Sequence, residues 1–137
     1  MVRILGIDPG TKRCGVAITD SAETMAFPRE AIAYDDHFVT NVDRLARDEG
    51  VDLVVIGRPV SLAGNETSST AFADELFRQL SEGLEVAIVQ HDERLTTTAA
   101  QRSLSSAGVK TRDHRDRIDS AAAVVMLQHY ADVRNAR

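Results

Sequence analysis

The sequence predicts an α/β protein with a mixed central sheet, in which an antiparallel hairpin is continued by parallel strands and helices cover both faces. Two observations predict this class. Apolar strand patterns stand close together near the N-terminus, and further along the chain strand patterns alternate with helical ones. Strands joined through helices pair in parallel by right-handed crossovers. At 137 residues and 43% hydrophobic content, residues 1–137 are expected to form one domain.

Three strands and a helix are expected in the first half of the chain. Residues 2–8 and 14–19 read as two strands joined through the Pro9-Gly10 turn, which makes a hairpin. Residues 24–33 predict a third strand, where Pro28 disfavours a central position. Apolar residues then recur at helical spacing from Phe38 to Ala46. Candidate ends of this helix are Asp35 or Asp36 as the N-cap and Gly50 as the stop.

The second half alternates strands and helices. Residues 52–57 give the clearest buried strand pattern, and residues 85–90 give the next. Between them, hydroxyl residues 67–69 are N-cap candidates for a helix that Gly83 closes. The remaining expectations are a short helix from Thr96 or Thr97 to Ala107, a mobile loop over residues 109–117 and a final helix from Ile118.

Composition excludes several classes of protein. The only cysteine, Cys14, rules out an internal disulfide, and the four histidines show no zinc-type spacing with it. Residues 1–10 lack a signal-peptide pattern, and the uncharged run over residues 120–131 is shorter than the ~20 residues of a membrane-spanning helix. We therefore expect a soluble, cytoplasmic protein without a membrane partner.

Charge is unevenly distributed along the chain. The net charge is −5, yet residues 94–117 contain six cations and only two acids. A solvated loop beside a charged helix face explains this segment, and so does a local surface for nucleic acid.

Carboxylates follow or begin several predicted elements. Asp8 ends the first strand, Asp92 and Glu93 follow a later one, and Asp119 lies at the start of the final helix. Turn formation, a charged loop and the helix dipole explain each acid separately. They do not predict that all lie where one sheet would bring them together. Carboxylates bind Mg²⁺ and Mn²⁺, and two such ions ~3.5–4 Å apart promote phosphodiester hydrolysis.

Other motifs carry less information. Gly10 and Gly15 have the spacing of a phosphate-binding P-loop, but Val16 stands where that motif requires lysine. His91 beside Asp92 could form a base with its orienting acid, although a single histidine at a strand end is more often structural. Cys14 falls in a core strand pattern and has no catalytic partner nearby in the sequence.

Four segments together resemble the YqgF (RuvX) family, described as Holliday junction resolvases and as nucleases that mature precursor 16S ribosomal RNA. The segments are GIDPGTKRCGVAITD, VVIGRP, DERLTTTAA and DSAAAVVMLQHY. The resemblance implies an RNase H-like fold. It also implies that Asp8, Glu93 and Asp119 are the catalytic, metal-binding acids, with Glu93 chosen over Asp92.

The resemblance also implies a basic surface beside the acids. The residues that it implies contact nucleic acid are Lys12, Arg13, Arg94, Lys110, Arg112 and Arg115, and Arg58, which the family pattern does not contain, is expected to join them. This chain departs from the family where the usual Gly-Leu-Pro reads Gly57-Arg58-Pro59, and the role of the loop up to Asn65 stays open. Asp116 is either a helix cap or an auxiliary ligand.

The expected function is therefore that of an endonuclease dependent on Mg²⁺ or Mn²⁺, with a two-metal site, that processes the 5′ end of precursor 16S ribosomal RNA. Alternatives are cleavage of four-way DNA junctions and a non-catalytic nucleic-acid-binding module. A phosphate-binding D-x-G-T loop of the actin-like ATPase and sugar-kinase type needs two lobes, whereas this chain has the length of one. A homodimer is a further possibility.

Overall fold

The computed structural model describes residues 2–59, 63–92 and 115–136, with the backbone alone for residues 115–119. The predicted helix over residues 96–107 lies outside these ranges. The elements that the structure describes are β1 (Ile4–Asp8), β2 (Arg13–Thr19), β3 (Ala26–Ala33), α1 (Phe38–Asp48), β4 (Leu53–Arg58), α2 (Ser68–Gly83), β5 (Ala87–Asp92) and α3 (Arg115–Asn135).

The strands form one mixed sheet in the order β3-β2-β1-β4-β5. Strands β1, β2 and β3 pair antiparallel, whereas β1 pairs with β4 and β4 with β5 in parallel. The predicted hairpin with parallel extensions is thereby confirmed. Strand β3 lies at the edge of the sheet, as Pro28 predicted. Proline has no N–H to donate, and an edge strand has only one neighbouring strand to bond. Among the helices described, none is long and apolar enough to cross a membrane.

Each face of the sheet has its own apolar core. Helices α1 and α2 cover one face, where the buried residues include Leu5, Ile7, Val16, Ile56, Phe38, Val42, Leu76 and Leu80. Helix α3 covers the other, where the buried residues include Ile4, Ala17, Val55, Ala123, Met126 and Leu127. Alternate strand residues point to opposite faces, so each central strand contributes to both cores.

Gly6 permits α3 to pack closely on β1. A Cβ atom at this position would lie 3.0 Å from the Cβ of Leu127, closer than such atoms normally approach. Any side chain here would push α3 away from the sheet, because interiors are already close-packed. The absence of a side chain at Gly6 therefore helps to set the height of α3 above the sheet.

Several element ends differ from the sequence predictions, and β5 and α3 differ most. Strand β5 runs over Ala87–Asp92, two residues later than predicted, because its parallel register follows β4 as far as the Arg58–Asp92 pair. Helix α3 begins at Arg115 rather than Ile118, and its charged first turn offers no apolar periodicity to detect. The predicted loop over residues 109–117 is wrong for its last three residues, and Asp116 is helical rather than a cap.

The caps of the other helices were predicted with mixed success. Thr67 caps α2 as predicted, forming a reciprocal capping box with Thr70. The N-cap of α1 is His37, so the prediction of Asp35 or Asp36 was wrong. Asp35 instead accepts a hydrogen bond from the His37 backbone N–H at 2.8 Å. Gly50 ends α1 with a left-handed φ of 64°, as its position predicted.

Helix α3 is bonded to the sheet through a β-bulge. The β2–β3 register shifts between Cys14 and Val16, so the ladder opens there. The Ser120 hydroxyl accepts a hydrogen bond from the Val16 N–H at 3.1 Å and donates one to the Arg29 carbonyl at 2.6 Å. Val16 and Arg29 are register partners, so the hydroxyl bridges the two strands.

We expect Ser120→Ala to lower the free energy of unfolding by about 1–3 kcal/mol, because backbone groups at Val16 and Arg29 lose their partner. Denaturant unfolding followed by circular dichroism measures this change. Ser81→Ala, at an exposed position on α2, is the matched control and should leave stability nearly unchanged. Equal losses in both variants would contradict the bridging role of Ser120.

Candidate active site at the carboxyl edge of the sheet

Asp8 lies at the carboxyl end of β1, the central strand of the sheet. In β1, Ile4 and Gly6 face α3 while Leu5 and Ile7 face α1 and α2, so alternation places Asp8 on the α3 face. The residue is half-buried. Among the side chains that the structure describes, none forms a hydrogen bond with its carboxylate. The carboxylate oxygens are thus available to a ligand.

Glycines lie beside Asp8 on both neighbouring strands. Gly15 of β2 is its antiparallel partner, and Gly57 of β4 follows Ile56, which pairs with Ile7. Neither position places a side chain beside the carboxylate. A glycine within a strand often marks a place where a ligand or another backbone approaches closely. The sequence contained this signal, but only the register connects the two glycines with Asp8.

The carboxyl end of β5 lies at the same edge, because β1, β4 and β5 are parallel. Gln90 donates a hydrogen bond to Asp74 of α2 at 2.8 Å, whereas His91 contacts α3, so Asp92 falls on the α2 face by alternation. Asp92 therefore faces away from the side on which Asp8 lies. Glu93, predicted as the second acid, lies outside the described residues.

The first turns of α3 lie over the same corner of the sheet. Ser120 bonds Val16, whose β1 partner is Ile7, the residue before Asp8. The backbone of Asp119 is helical and immediately precedes Ser120. The side chain of Asp119, like that of Arg115, lies outside what the structure describes. The backbone of Asp119 thus lies over the part of the sheet that carries Asp8. The role of Asp119 as the third acid stays a prediction.

The predicted nucleic-acid contacts whose side chains the structure describes occupy two different environments. Lys12 and Arg13 are exposed at the β1–β2 turn, next to Asp8 in sequence. Arg58 instead faces α2, where its guanidinium binds Asp74 at 2.9 Å and Glu66 at 2.7 Å. These hydrogen bonds, that of Asp74 foremost, raise the pKa of Arg58 further above its usual range. The predicted contacts Arg94, Lys110 and Arg112 lie outside the described ranges.

Two histidines pair beside the candidate site. His91 Nε2 and His129 Nδ1 are 3.0 Å apart, and the Tyr130 ring packs edge-on against His91. Burial, followed by the proximity of His129, lowers the pKa of His91. The neutral form is therefore favoured, which agrees with the structural reading of His91. No local sequence pattern indicates a role for His129, because its partner lies 38 positions away.

Cys14 is not equipped as a nucleophile. The residue is buried, and burial raises the pKa of its thiol to about 11. At neutral pH the thiol stays protonated, and the thiolate is the reactive form. The prediction that Cys14 belongs to the core is confirmed. Within the described side chains, no group of three His, Cys, Asp or Glu residues stands close enough to hold a metal ion.

Solved structures with similar folds include DNA junction resolvases. Thermus thermophilus RuvC in complex with a Holliday junction substrate superposes with a TM-score of 0.59 at 15% identity, covering 99% of this chain and 97% of that chain. The fowlpox virus Holliday junction resolvase gives a TM-score of 0.53 at 14% identity, covering 96% and 99%. At these identities the likeness shows the fold, and the predicted RNase H-like architecture is confirmed.

A third similar fold comes from a different class. A ROK family protein from Streptococcus pneumoniae, solved with sucrose, gives a TM-score of 0.50 at 11% identity. The match covers 73% of this chain but only 37% of that chain. The likeness thus covers most of this chain but only part of a longer one.

Sequence relatives are much closer. A protein of Corynebacterium jeikeium named "Putative pre-16S rRNA nuclease" is 42% identical over 135 residues, covering 96% of this chain and 87% of the relative. A relative with the same name in Mycolicibacterium paratuberculosis is 41% identical, covering 98% of this chain and 82% of the relative. Another in Geobacillus kaustophilus is 36% identical, covering 96% of this chain and 98% of the relative. The model of the RuvX family, described as Holliday junction resolvase, matches residues 2–133. This chain therefore belongs to the RuvX (YqgF) family.

Proposed function

We propose that this protein is an endonuclease that hydrolyses phosphodiester bonds of structured nucleic acid, with precursor 16S ribosomal RNA as its substrate. One observation carries the proposal: the Asp8 carboxylate stands at the carboxyl edge of the central strand between two glycines, on the face covered by α3. Open α/β sheets bind ligands at this edge. The names of the sequence relatives support the choice of ribosomal RNA.

Divalent metal ions fit the chemistry of Asp8. Its oxygens are hard donors, half-buried and without hydrogen bonds from the described side chains, and such donors suit Mg²⁺ and Mn²⁺. In our proposal Glu93 and Asp119 complete the donor set. When bound, the ions activate water and stabilise the leaving oxygen of a phosphodiester.

The described residues support specific roles in this reaction. Asp8 would act as the central donor, since β1 is the central strand of the sheet and lies beneath α3, the helix that carries Asp119. Asp92 faces α2, which supports our choice of Glu93, the next residue along the chain, as the acid from β5. Ser120 is a positioning residue that bonds the start of α3 to β2, and Gly15 and Gly57 leave room for the substrate phosphate.

Cleavage of four-way DNA junctions is the alternative substrate assignment. The two substrates differ in the ribose 2′-hydroxyl, the group by which a protein distinguishes RNA from DNA. The RuvX family description, Holliday junction resolvase, supports this alternative, whereas the shared fold by itself does not indicate a substrate. Dimerisation and a cytoplasmic location stay predictions.

We expect Asp8→Asn to reduce cleavage by at least about 10³-fold, the scale on which loss of a catalytic group acts. The substitution preserves size and removes the charge that binds cations. Cleavage of labelled precursor ribosomal RNA, a four-way DNA junction and plain duplex, each with Mg²⁺ or Mn²⁺, measures the effect. Calorimetric titration with Mn²⁺ should show weakened binding independently of activity.

Asp36→Asn is the matched control for this experiment. Asp36 is exposed before α1, and its neutralisation should change neither cleavage nor Mn²⁺ binding. Undiminished cleavage by Asp8→Asn would refute the assignment of Asp8. Failure of the unmodified protein to cut any of these substrates would refute the nuclease proposal.

We expect nucleic-acid binding to weaken steeply with salt, because phosphate contacts release counterions. Lys12→Gln should lower the slope of log affinity against log salt by about 0.7–0.9, the contribution of one phosphate contact. Arg58→Gln should change it less, because Asp74 and Glu66 already bind this guanidinium. Fluorescence anisotropy over a salt series measures both slopes. Equal slopes for Lys12→Gln and the unmodified protein would exclude Lys12 as a contact.

A further inference from the structure

A cavity of about 320 Å³ lies between the β1–β2 turn and the first turns of α2, whereas alternation places the Asp8 carboxylate on the α3 face. Three segments line it: the turn itself, the end of β4 and the first turns of α2. The lining residues are Pro9, Gly10, Thr11, Pro59, Ser68, Ser69 and Phe72. Because Pro9 directly follows Asp8, a molecule in this cavity would lie within reach of a nucleotide bound at Asp8.

The walls of the cavity are held in place by the fold. A Cβ atom at Gly10 would lie 2.2 Å from the Arg13 carbonyl oxygen, so the turn closes tightly on itself. The Thr70 hydroxyl donates a hydrogen bond to the Pro59 carbonyl and also participates in the α2 capping box. The end of β4 is thereby attached to the first turn of α2. A site with such fixed walls requires little ordering when a ligand binds.

Phe72 is the aromatic side chain of this cavity, and its ring is held by a neighbour. The Tyr34 ring packs edge-on against it with centroids 4.9 Å apart. The Tyr34 hydroxyl in turn accepts a hydrogen bond from Gln79 at 3.0 Å. Edge-to-face contacts of this kind fix ring orientation as well as adding packing energy. Phe72 is therefore positioned before any ligand arrives.

The chemistry of the lining selects a class of ligand. None of the described lining residues carries a charge, so the cavity is unsuited to a metal ion and offers no cation to a phosphate. It combines an aromatic ring, two prolines and the hydroxyls of Thr11, Ser68 and Ser69. A flat, uncharged ring with hydrogen-bonding edges matches this surface. Nucleic-acid-binding proteins hold unpaired bases by stacking on aromatic side chains with polar groups at the base edges.

We propose that this cavity binds one unpaired base of the nucleic-acid substrate, adjacent to the phosphodiester at Asp8. The inference rests on the proposed nuclease function and adds a preference for substrates that have an unpaired base. A fully paired duplex would have to unstack a base to fill the cavity, whereas a single-stranded flank or a branch point supplies one at lower cost. Unpaired positions next to the cleavage site would therefore be preferred.

The test pairs a protein variant with a substrate variant. Phe72→Leu removes the ring, and a single abasic nucleotide, moved through the positions around the cleavage site, removes the base. Affinity is measured by fluorescence anisotropy in the Asp8→Asn background, which prevents cleavage. At one position the abasic substrate should bind roughly 5- to 150-fold more weakly than the intact one, the range found for base–aromatic stacking. Phe72→Leu should weaken binding of the intact substrate and leave the abasic substrate unaffected.

Two further variants separate this effect from loss of structure. Phe77→Leu alters another half-buried phenylalanine of α2, which packs against the core and does not line the cavity. It should bind both substrates like the parent protein. Ser69→Leu fills the cavity from an exposed helix position and should reproduce the behaviour of Phe72→Leu without a change in the core.

The outcomes distinguish the two proposals. If the unmodified protein cleaves but Phe72→Leu and Ser69→Leu weaken intact and abasic substrates equally at every position, the base-binding cavity is wrong and the nuclease proposal stands. If the unmodified protein cleaves none of the substrates, both proposals fail. The proposal that the cavity binds a base is supported if removing the base at one position no longer lowers affinity in Phe72→Leu and Ser69→Leu. The Phe77→Leu variant should still show the lower affinity for that abasic substrate.

Discussion

The register of β1 is the constraint on which the candidate site depends. Because side chains alternate along a strand, a shift of one residue would turn Asp8 toward α1 and α2 and would place Ile7 beneath α3. Burial alone does not prevent this, since both faces of β1 are covered. Gly6 favours the observed register: a Cβ atom at its position would already lie 3.0 Å from the Leu127 Cβ, and a shift of one residue would place Leu5 or Ile7 there. The glycine two residues before Asp8 thus helps to fix the face that the carboxylate occupies.

Much of the fold could be predicted because local patterns and sheet geometry agreed. The apolar runs gave the strands, Pro28 indicated an edge, and Thr67 and Gly50 marked helix ends. The end of β5 could not be found in this way, since its length follows from pairing with β4 rather than from its own composition. The start of α3 was missed because its first turn contains only charged residues before Ile118.

The candidate site was predictable in its residue types and less so in its surroundings. Asp8 stood out as an acid at the end of an apolar strand. The contact of Ser120 with Val16 joins residues 104 positions apart, and no local pattern signals such a contact. Arg58 shows the same limit. It was predicted to contact nucleic acid, but alternation turns it toward α2, where it binds Asp74 and Glu66.

The attachment of α3 to the outermost strand has a consequence for how this protein loses activity. Both Ser120 and Gln128 bond to backbone groups of β3, at Arg29 and Ala26. Edge strands open more readily than central ones, since only one neighbour holds them. Fraying of β3 would release these two bonds and loosen the first turns of α3, next to Asp119, while Met126 and Leu127 keep the rest of the helix packed on the central strands. The candidate site would thus lose its order at a lower temperature than the sheet that supports it.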